Sequence, residues 1–359
     1  MNIIYYISGH GYGHATRSLE LIRTLQNIQP DLFFHIRSDA PDWMMKINLT
    51  TNYALYPVKL DVGAVQKTSF VIDKKETYRQ AAALYERKDQ IVKQEADFAK
   101  AQRARLIISD IPALAFDVAE AAGIPGVALA NFSWDWIYQD YVTEIPEFAE
   151  VIAKIKSSYH KATLLLRLPF YGDLSAFPKV KDIPLIARKA SKPKDEIWRL
   201  LGISATNRPK LALVAFRAAD LADVNVKKLE ALDGFKFITL GLPQSFKNSI
   251  NLPPNFIRFP ELVHASDVVI SKPGYGLVSE ILANRTPLLY TSRDDFAEYE
   301  YLVRGLSEFA VAKMLPREEF LEGNWENYLK KLLSSPEHWK EIAIDGTEVA
   351  AEEILSLIK

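Results

Sequence analysis

Two histidines and three glycines follow the first predicted strand and precede a predicted helix. Residues 8–14 read SGHGYGH, and His14 lies at the first turn of the helix. Glycines allow sharp turns and a close approach of the backbone to a ligand, and a helix N-terminus favours an anion. A neutral imidazole at this position can accept a proton. The segment therefore predicts a ligand-binding loop in which His14 acts as a general base.

Other interpretations of this loop stay open. A tight strand-to-helix turn without a ligand needs only one glycine. The dinucleotide-binding pattern G-x-G-x-x-G needs its third glycine one residue later, although Asp39 lies where that pattern requires an acid. His10 and His14 have the four-residue spacing of helical zinc ligands. Because the glycines between them indicate a loop and no third ligand stands nearby, we predict no metal site. We also expect no bound cofactor.

An aspartate ends a strand predicted later in the first half of the chain. Residues 105–110 read RLIISD, and Ile111-Pro112 stops the strand before a helix predicted over residues 113–122. The carboxyl ends of parallel strands meet at one edge of a sheet, so Asp110 is expected near His14. A carboxylate there would hold an imidazole in one tautomer and stabilise its charged form. A turn or N-cap role explains Asp110 equally well.

An aromatic loop emerges at the same edge, after the strand predicted over residues 127–130. Its rings would stack on a sugar or on an apolar acceptor. A buried aromatic cluster beneath a loop explains the same residues at least as well. We assign acceptor binding to four residues, which are His10, Asn131, Trp134 and Trp136.

A second glycine-rich loop follows a strand in the second half of the chain. Residues 271–276 read SKPGYG, and a helix with Ser279 and Glu280 comes next. Glycines at a helix start make a diphosphate site, and the Glu280 carboxylate could accept hydrogen bonds from a ribose diol. A plain turn followed by a surface glutamate is the alternative.

Acidic residues are dense after the next predicted strand, from Asp294 to Glu300. These carboxylates would bind sugar hydroxyls, or they form a solvated helix start, where acids are favoured. The Asp294-Asp295 pair alone does not predict a divalent metal site, because no other ligands accompany it.

The elements that position these loops alternate along the chain. Amphipathic stretches predict helices over residues 16–28, 78–102 and 113–122, between apolar runs that suit a parallel sheet covered on both faces. This repetition predicts a doubly wound α/β fold. The pattern restarts after a proline-rich stretch within residues 169–209, which we interpret as the linker. The apolar runs are 3–7, 32–36, 106–108, 127–130, 164–168, 211–216, 235–240, 268–270 and 288–290.

The composition is that of a globular protein, and the length of 359 residues predicts two domains. The 359 residues include 44 basic and 45 acidic side chains, and a net charge of −1 gives no electrostatic case for nucleic-acid binding. The absence of cysteine excludes disulfides and thiolate catalysis. No apolar run approaches the roughly 20 residues of a membrane span, and the N-terminus lacks a signal-peptide pattern. We therefore expect a cytoplasmic chain. Its oligomeric state and any peripheral membrane contact are left open.

These segments, taken in order, resemble the GT-B glycosyltransferases, and residues 8–17, 131–135 and 272–276 resemble the GT-B-like domain fused to plant arabinose kinases. The resemblance implies two Rossmann-like, doubly wound parallel-sheet domains facing a central cleft. Residues 1–185 would bind the acceptor, residues 186–338 the donor, and a helix over residues 339–359 would cross back. His14 falls on the family's general base and Asp110 on its partner. The implied donor-binding residues are Gly11, Gly13, Arg217, Lys272, Gly274, Tyr275, Gly276, Ser279, Glu280, Asp294, Asp295 and Glu298.

The resemblance also implies an activity, which is inverting, metal-independent transfer of a sugar from a nucleotide sugar to an acceptor hydroxyl. A UDP-sugar is the expected donor, while the sugar and the acceptor are not identified. Arg217 follows the first strand of the second domain in place of the family's glycines, and there it would supply charge to the phosphates. A non-catalytic nucleotide-sugar-binding module and a sugar-nucleotide epimerase stay open as alternatives, and an NAD enzyme is the most distant one.

Overall fold

The protein consists of two parallel β-sheets with helices packed on their faces. A computed structural model describes residues 1–68, 70–204, 206, 208–243, 245–293, 296–336 and 338–358. Among these residues, no helix is both long and apolar enough to cross a membrane.

The first sheet occupies the first half of the chain. The strands of this half are β1 (Asn2–Ile7), β2 (Phe33–Arg37), β3 (Tyr53–Tyr56), β4 (Gln66–Thr68), β5 (Val71–Ile72), β6 (Ala104–Asp110), β7 (Gly126–Ala130), β8 (Leu164–Arg167) and β9 (Val180–Asp182). Its helices are α1 (Tyr12–Ile28), α2 (Asp42–Asn48), α3 (Lys74–Glu86), α4 (Lys88–Ala101), α5 (Leu114–Ala122), α6 (Trp134–Gln139) and α7 (Phe148–Tyr159). Seven parallel strands pair in the order β3-β2-β1-β6-β7-β8-β9, while β4 and β5 form an antiparallel hairpin.

The second sheet has six parallel strands in the order β12-β11-β10-β13-β14-β15. These strands are β10 (Lys210–Val214), β11 (Phe235–Leu240), β12 (Ser249–Leu252), β13 (Val268–Ser271), β14 (Leu288–Tyr290) and β15 (Ala312–Met314). The helices are α8 (Lys194–Leu200), α9 (Ala218–Leu221), α10 (Val226–Glu230), α11 (Phe259–Ala265), α12 (Tyr275–Asn284), α13 (Glu298–Phe309), α14 (Arg317–Leu321), α15 (Glu326–Leu333) and α16 (Gly346–Ser356).

The predicted doubly wound α/β architecture is confirmed, and each predicted apolar run overlaps a strand. The strands that no apolar run predicted include the sheet edges β3, β9, β12 and β15, whose residues are mostly half-buried or exposed. The single helix predicted over residues 78–102 is wrong, because the structure has α3 and α4 with a break at Arg87. The predicted C-terminal helix begins later, at Gly346.

Both sheets reverse their strand order beside their first strand. The reversal lies between β1 and β6 in the first sheet and between β10 and β13 in the second. Ligands of doubly wound sheets bind outside the carboxyl ends of the strands at this point. The loops after β1, β6, β10 and β13 are therefore the loops that this topology selects for function.

One apolar core joins the two sheets. It contains side chains of β1 and α1 from the first half and of β10, α12 and α13 from the second. The last helix, α16, packs against α1, and Leu185 donates its N–H to the Ala343 carbonyl beside an Ile186–Asp345 bridge. The chain thus returns to the first domain after completing the second sheet.

The hairpin of β4 and β5 reaches the second domain. Arg217 donates to the Gln66 side chain at 2.9 Å, and the Lys272 ammonium lies 5.7 Å from the Phe70 ring centroid. The hairpin therefore contacts the loops after β10 and β13.

The first turns of α1 and α12 meet at two glycines. A Cβ added at Gly276 would lie 3.1 Å from the Gly13 Cα, whereas one added at Gly274 would meet nothing within 4 Å. We expect Gly276→Val to lower the free energy of unfolding by about 1–3 kcal/mol, since overpacking would force the helices apart. Gly274→Val is the matched control, because Gly274 has an extended backbone that valine adopts. Chemical denaturation measures both, and equal losses would contradict a specific contact at Gly276.

Candidate functional site at the domain junction

The first turn of α1 brings His14 to the carboxylate that ends β6. Gly11 precedes this helix with φ of 78°, a conformation that glycine adopts without strain. His14 is 6% exposed, and its Nδ1 lies 2.7 Å from Oδ1 of the fully buried Asp110. Because an ionised carboxylate only accepts hydrogen bonds, Nδ1 carries the hydrogen and Nε2 keeps a lone pair. The structure therefore brings the two predicted residues together and leaves Nε2 able to take a proton.

Arg17, one turn along α1 from His14, also binds Asp110. Its Nε donates to Oδ2 at 2.6 Å and its Nη2 to Oδ1 at 2.5 Å, while the Ser18 hydroxyl donates to Oδ2 at 2.9 Å. Burial alone would raise the pKa of the Asp110 carboxyl, but the charge of Arg17 and the bonds from Arg17 and His14 lower it to about 2. Asp110 is therefore ionised at neutral pH, with a guanidinium charge directly beside it.

Asn131 continues this network into the second domain. Its Oδ1 accepts from Arg17 Nη1 at 2.8 Å, and its Nδ2 donates at 2.7 Å to Oε1 of Glu298, the first residue of α13. The Arg17 guanidinium also lies over the Tyr275 ring, 5.0 Å from its centroid. Asn131, predicted to bind the acceptor, thus lies in one buried network with Glu298 and Tyr275, predicted to bind the donor.

Cationic side chains of the second domain converge on the first loop. Burial lowers the pKa of His10 well below its usual value, and the charges of Arg293, Lys272 and Arg217 lower it further. Arg217, Lys272 and Arg293 follow three different strands, β10, β13 and β14. The carboxyl edge of the second sheet therefore presents positive charge to the loop that contains His10 and His14.

The pKa of Lys272 is also lowered in this cluster. Burial lowers the pKa of its ammonium to about 8, with Arg293 and Arg217 adding to the shift and Asp220 opposing it. An anion that binds beside Lys272 would offset this repulsion. The N-cap of α12, Gly274, lies two residues further on, and the open space there leaves room for such an anion.

The glycines of the two loops differ in their surroundings. Gly13 and Gly276 face each other across the domain contact. At Gly9, a Cβ would collide with the Asp39 carboxylate. Only Gly11 and Gly274, of these five, have no atom within 4 Å of an added Cβ. The space for a ligand in these loops is therefore at Gly11 and Gly274.

Most of the aromatic loop lies in the core rather than at a free surface. Trp134 is 2% exposed and donates its Nε1–H to the buried Asp61 at 2.8 Å. His10 accepts the Ala64 N–H at 3.3 Å, and its ring centroid is 5.3 Å from that of Trp134. Trp136 is half-buried, with its ring centroid 5.3 Å from that of Tyr301 in α13. The buried-cluster interpretation describes Trp134, and Trp136 lies at the domain contact.

Glu280 is buried in an ion pair. It is 3% exposed and accepts hydrogen bonds from Arg188 through Nε, at 2.6 Å, and through Nη2. Arg188 also donates to the Asn48 side chain of the first domain at 3.3 Å. Burial raises the pKa of the Glu280 carboxyl, although Arg188 opposes this. The carboxylate assigned to a ribose is thus engaged by a cation, and the alternative of a surface glutamate is wrong. Ser279 donates to the Gly276 carbonyl of its own helix.

Sequence reasoning missed several residues of this junction. Arg17 lies three positions after His14, so helical periodicity alone places both on one face of α1. Arg293 directly precedes Asp294 and Asp295, which lie outside the described residues. Asp61 lies in an irregular segment between β3 and β4, where no sequence pattern marks it. In the described part of the chain, no cluster of three or more side chains suited to metal binding occurs.

Comparison with known sequences finds a relative that matches nearly the whole chain. No protein-family model matches the chain. The L-arabinokinase of Arabidopsis thaliana is 31% identical over 358 residues, a match that covers 97% of this chain and 33% of that protein. The chain thus spans about a third of the length of the curated relative that it matches.

Solved structures match along the whole chain. The glycotransferase of kitacinnamycin has a TM-score of 0.66 at 17% identity, covering 100% of this chain and 99% of its own. A UDP-glucosyltransferase from Polygonum tinctorium, capable of glucosylating indoxyl, has a TM-score of 0.59 at 13% identity, covering 99% and 98%. Phytolacca americana UGT2, complexed with UDP-2-fluoroglucose and pterostilbene, has a TM-score of 0.61 at 12% identity, covering 99% and 93%. This chain therefore has the GT-B fold of glycosyltransferases, and it is similar in sequence to about a third of an L-arabinokinase.

Proposed function

We propose that this chain transfers a sugar from a nucleotide sugar, a UDP-sugar in the first instance, to an acceptor hydroxyl with inversion. The proposal rests above all on the 2.7 Å contact between His14 and Asp110 at the carboxyl edge of the first sheet. The charges of Arg217, Lys272 and Arg293 in the second domain lower the pKa of His10 in the same loop. A base on one side and positive charge on the other are what displacement of a nucleoside diphosphate requires. Solved structures with this fold include complexes with UDP-2-fluoroglucose and with DTDP.

The proposed reaction is a single displacement without a metal ion. His14 Nε2 takes the proton of the acceptor hydroxyl while that oxygen forms a bond to the anomeric carbon. The bond between the anomeric carbon and the diphosphate oxygen breaks, and the nucleoside diphosphate leaves with the electron pair. Lys272, Arg217 and Arg293 stabilise the negative charge of the leaving group. Asp110 holds the imidazole in the tautomer with hydrogen on Nδ1.

A non-catalytic nucleotide-sugar-binding module is the second candidate. The observation that favours it is the double hydrogen bond from Arg17 to Asp110, because a carboxylate already bound to a guanidinium stabilises an imidazolium less well. The similarity to part of an L-arabinokinase is compatible with such a role. Calorimetric titration with UDP, TDP, GDP and NAD, followed by assays of hydrolysis and transfer, separates the candidates. Binding of one nucleoside diphosphate without turnover would favour the module, and binding of NAD alone would contradict both.

Replacement of His14 tests the assignment of the base. We expect His14→Gln to lower turnover by roughly 10²–10⁴-fold, since proton transfer contributes about this much. Nucleoside diphosphate affinity should change little. His160→Gln is the control, because His160 is an exposed histidine at the end of α7. Steady-state kinetics of product formation measures both variants, and full turnover in His14→Gln would remove His14 as the base.

The titration of Lys272 predicts a pH dependence of donor binding. Because the pKa of Lys272 is about 8, a rise from pH 7 to pH 9 removes its charge, and UDP affinity should fall by roughly tenfold. The diphosphate is already ionised over this range. Lys272→Met should weaken binding at pH 7 and flatten the pH dependence, whereas Lys228→Met in α10 should do neither. Calorimetry at both pH values is the measurement, and an unchanged slope in Lys272→Met would remove this lysine from the site.

The burial of Glu280 predicts a stability effect. We expect Glu280→Gln to lower the free energy of unfolding by about 3–5 kcal/mol, since it leaves Arg188 buried without its charged partner. Glu95→Gln is the matched control, because it breaks the buried Arg37–Glu95 pair inside the first domain. Denaturant unfolding and UDP calorimetry are measured on both variants. A large loss of UDP affinity in Glu280→Gln alone, at unchanged stability, would support the ribose-binding role instead.

A further inference from the structure

Arg17 contacts side chains of both domains at the junction. It is 3% exposed, and its guanidinium donates to Asp110 through two nitrogens and to Asn131 through the third. The face of the guanidinium lies over Tyr275. A planar group with fixed donors makes such a set of contacts only in one orientation. The first domain therefore supplies the arginine and the second domain supplies the surface that covers it.

The position of Arg17 restricts the charge of His14. Arg17 Nη2 is 3.1 Å from His14 Nδ1, and both nitrogens contact the same oxygen of Asp110. A guanidinium nitrogen cannot accept a hydrogen bond, so the Nδ1 hydrogen is directed to Asp110. Protonation of Nε2 would place a second positive charge beside Arg17, in a buried site where the carboxylate bonded to His14, Asp110, is already paired with the guanidinium. Arg17 thus disfavours the imidazolium and favours the neutral Nδ1–H tautomer.

The same side chain depends on the second domain. Asn131 connects Arg17 to Glu298 through its amide, and Tyr275 covers the guanidinium from α12. Loss of the contacts with Glu298 and Tyr275 would leave the Asn131 amide without Glu298 and would expose the Arg17 guanidinium to water, where its effect on His14 is screened. The charge and tautomer of His14 are therefore coupled to contact between the domains.

We infer that Arg17 is a positioning residue that holds His14 as the neutral Nδ1–H tautomer while the second domain is in contact. The inference rests on the proposed function in one respect, namely that a neutral Nε2 is the form a general base needs. In this role Arg17 orients Asp110, and it makes the charge and tautomer of His14 depend on contact between the domains.

Nitrogen-15 NMR of the full chain tests this directly. The chain has six histidines, so selective labelling gives few signals, and His14→Gln assigns the one of interest. The unmodified chain should show the neutral Nδ1–H pattern for His14 at pH 7. Arg17→Gln should raise the ratio of protonated to neutral His14 by about tenfold or more, since it removes the adjacent charge. Arg17→Lys, which keeps the charge, should retain the neutral form.

Two further variants keep Arg17 and test whether its contacts toward the second domain affect His14. Asn131→Ala and Tyr275→Leu should each introduce the second tautomer or the protonated form of His14. These variants decide the inference if Arg17→Gln does not fold. Arg188→Gln is the matched control, because it removes another buried interdomain guanidinium that bonds Glu280 and Asn48. It should lower stability without changing the His14 signals.

The outcomes separate this inference from the proposed function. An unchanged His14 tautomer in both Asn131→Ala and Tyr275→Leu, or an equal change in Arg188→Gln, would overturn the inference. An unchanged ratio in a folded Arg17→Gln would also overturn it. Lack of sugar transfer by the unmodified chain, with the NMR results as expected, would remove the proposed function and leave the coupling of Arg17 to His14 standing.

Discussion

The junction between the domains depends on one buried carboxylate, Asp110. Burying an ionised group away from water costs several kcal/mol of free energy unless bonding partners offset the lost hydration. Here four donor atoms surround the two oxygens, and all of them come from α1. Because α1 also packs against α12 and α16, the orientation of this helix is fixed both by a charge at its first turns and by an apolar core along its length. The loop that precedes α1 is therefore held in place from three directions.

Buried ion pairs occur at several places along this junction, and each joins a different pair of elements. Arg17 and Asp110 lie at the carboxyl edge of the first sheet, whereas Arg188 and Glu280 connect the segment between the sheets to α12. Arg258, which precedes α11, lies 3.6 Å from Glu20 of α1. Such pairs contribute less to stability than an apolar contact of equal size, but they are satisfied in only one relative position of their elements. The shared apolar core brings the domains together, and the ion pairs select their alignment.

Much of the fold and part of the site could be predicted from the sequence, for physical reasons. Central strands such as β1 and β7 are buried on both faces, so their apolar runs are unbroken, whereas an edge strand such as β9 carries no such run. His14 and Asp110 could be placed near each other because His14 follows β1 and Asp110 ends β6. The carboxyl ends of these parallel strands lie at the same edge of the sheet. The partners of Glu280 could not be predicted, since Arg188 is remote in sequence and lies in an irregular segment. For the same reason, nothing in the sequence distinguishes Gly13, which packs against Gly276, from Gly11, which faces open space.

The return of the chain to α1 through α16 makes the second domain an insertion within the first rather than an appendage to it. Two separate stretches of chain cross between the domains, one before β10 and one after α15. A body attached at two points can pivot about the line that joins them, but it cannot turn freely about a single linker. The packing of α1 is also incomplete until α16 is present, because Ala350, Ala351 and Ile354 belong to the shared apolar core that α1 enters. During synthesis on a ribosome, the face of α1 that receives them would stay uncovered until residues 346–356 have emerged.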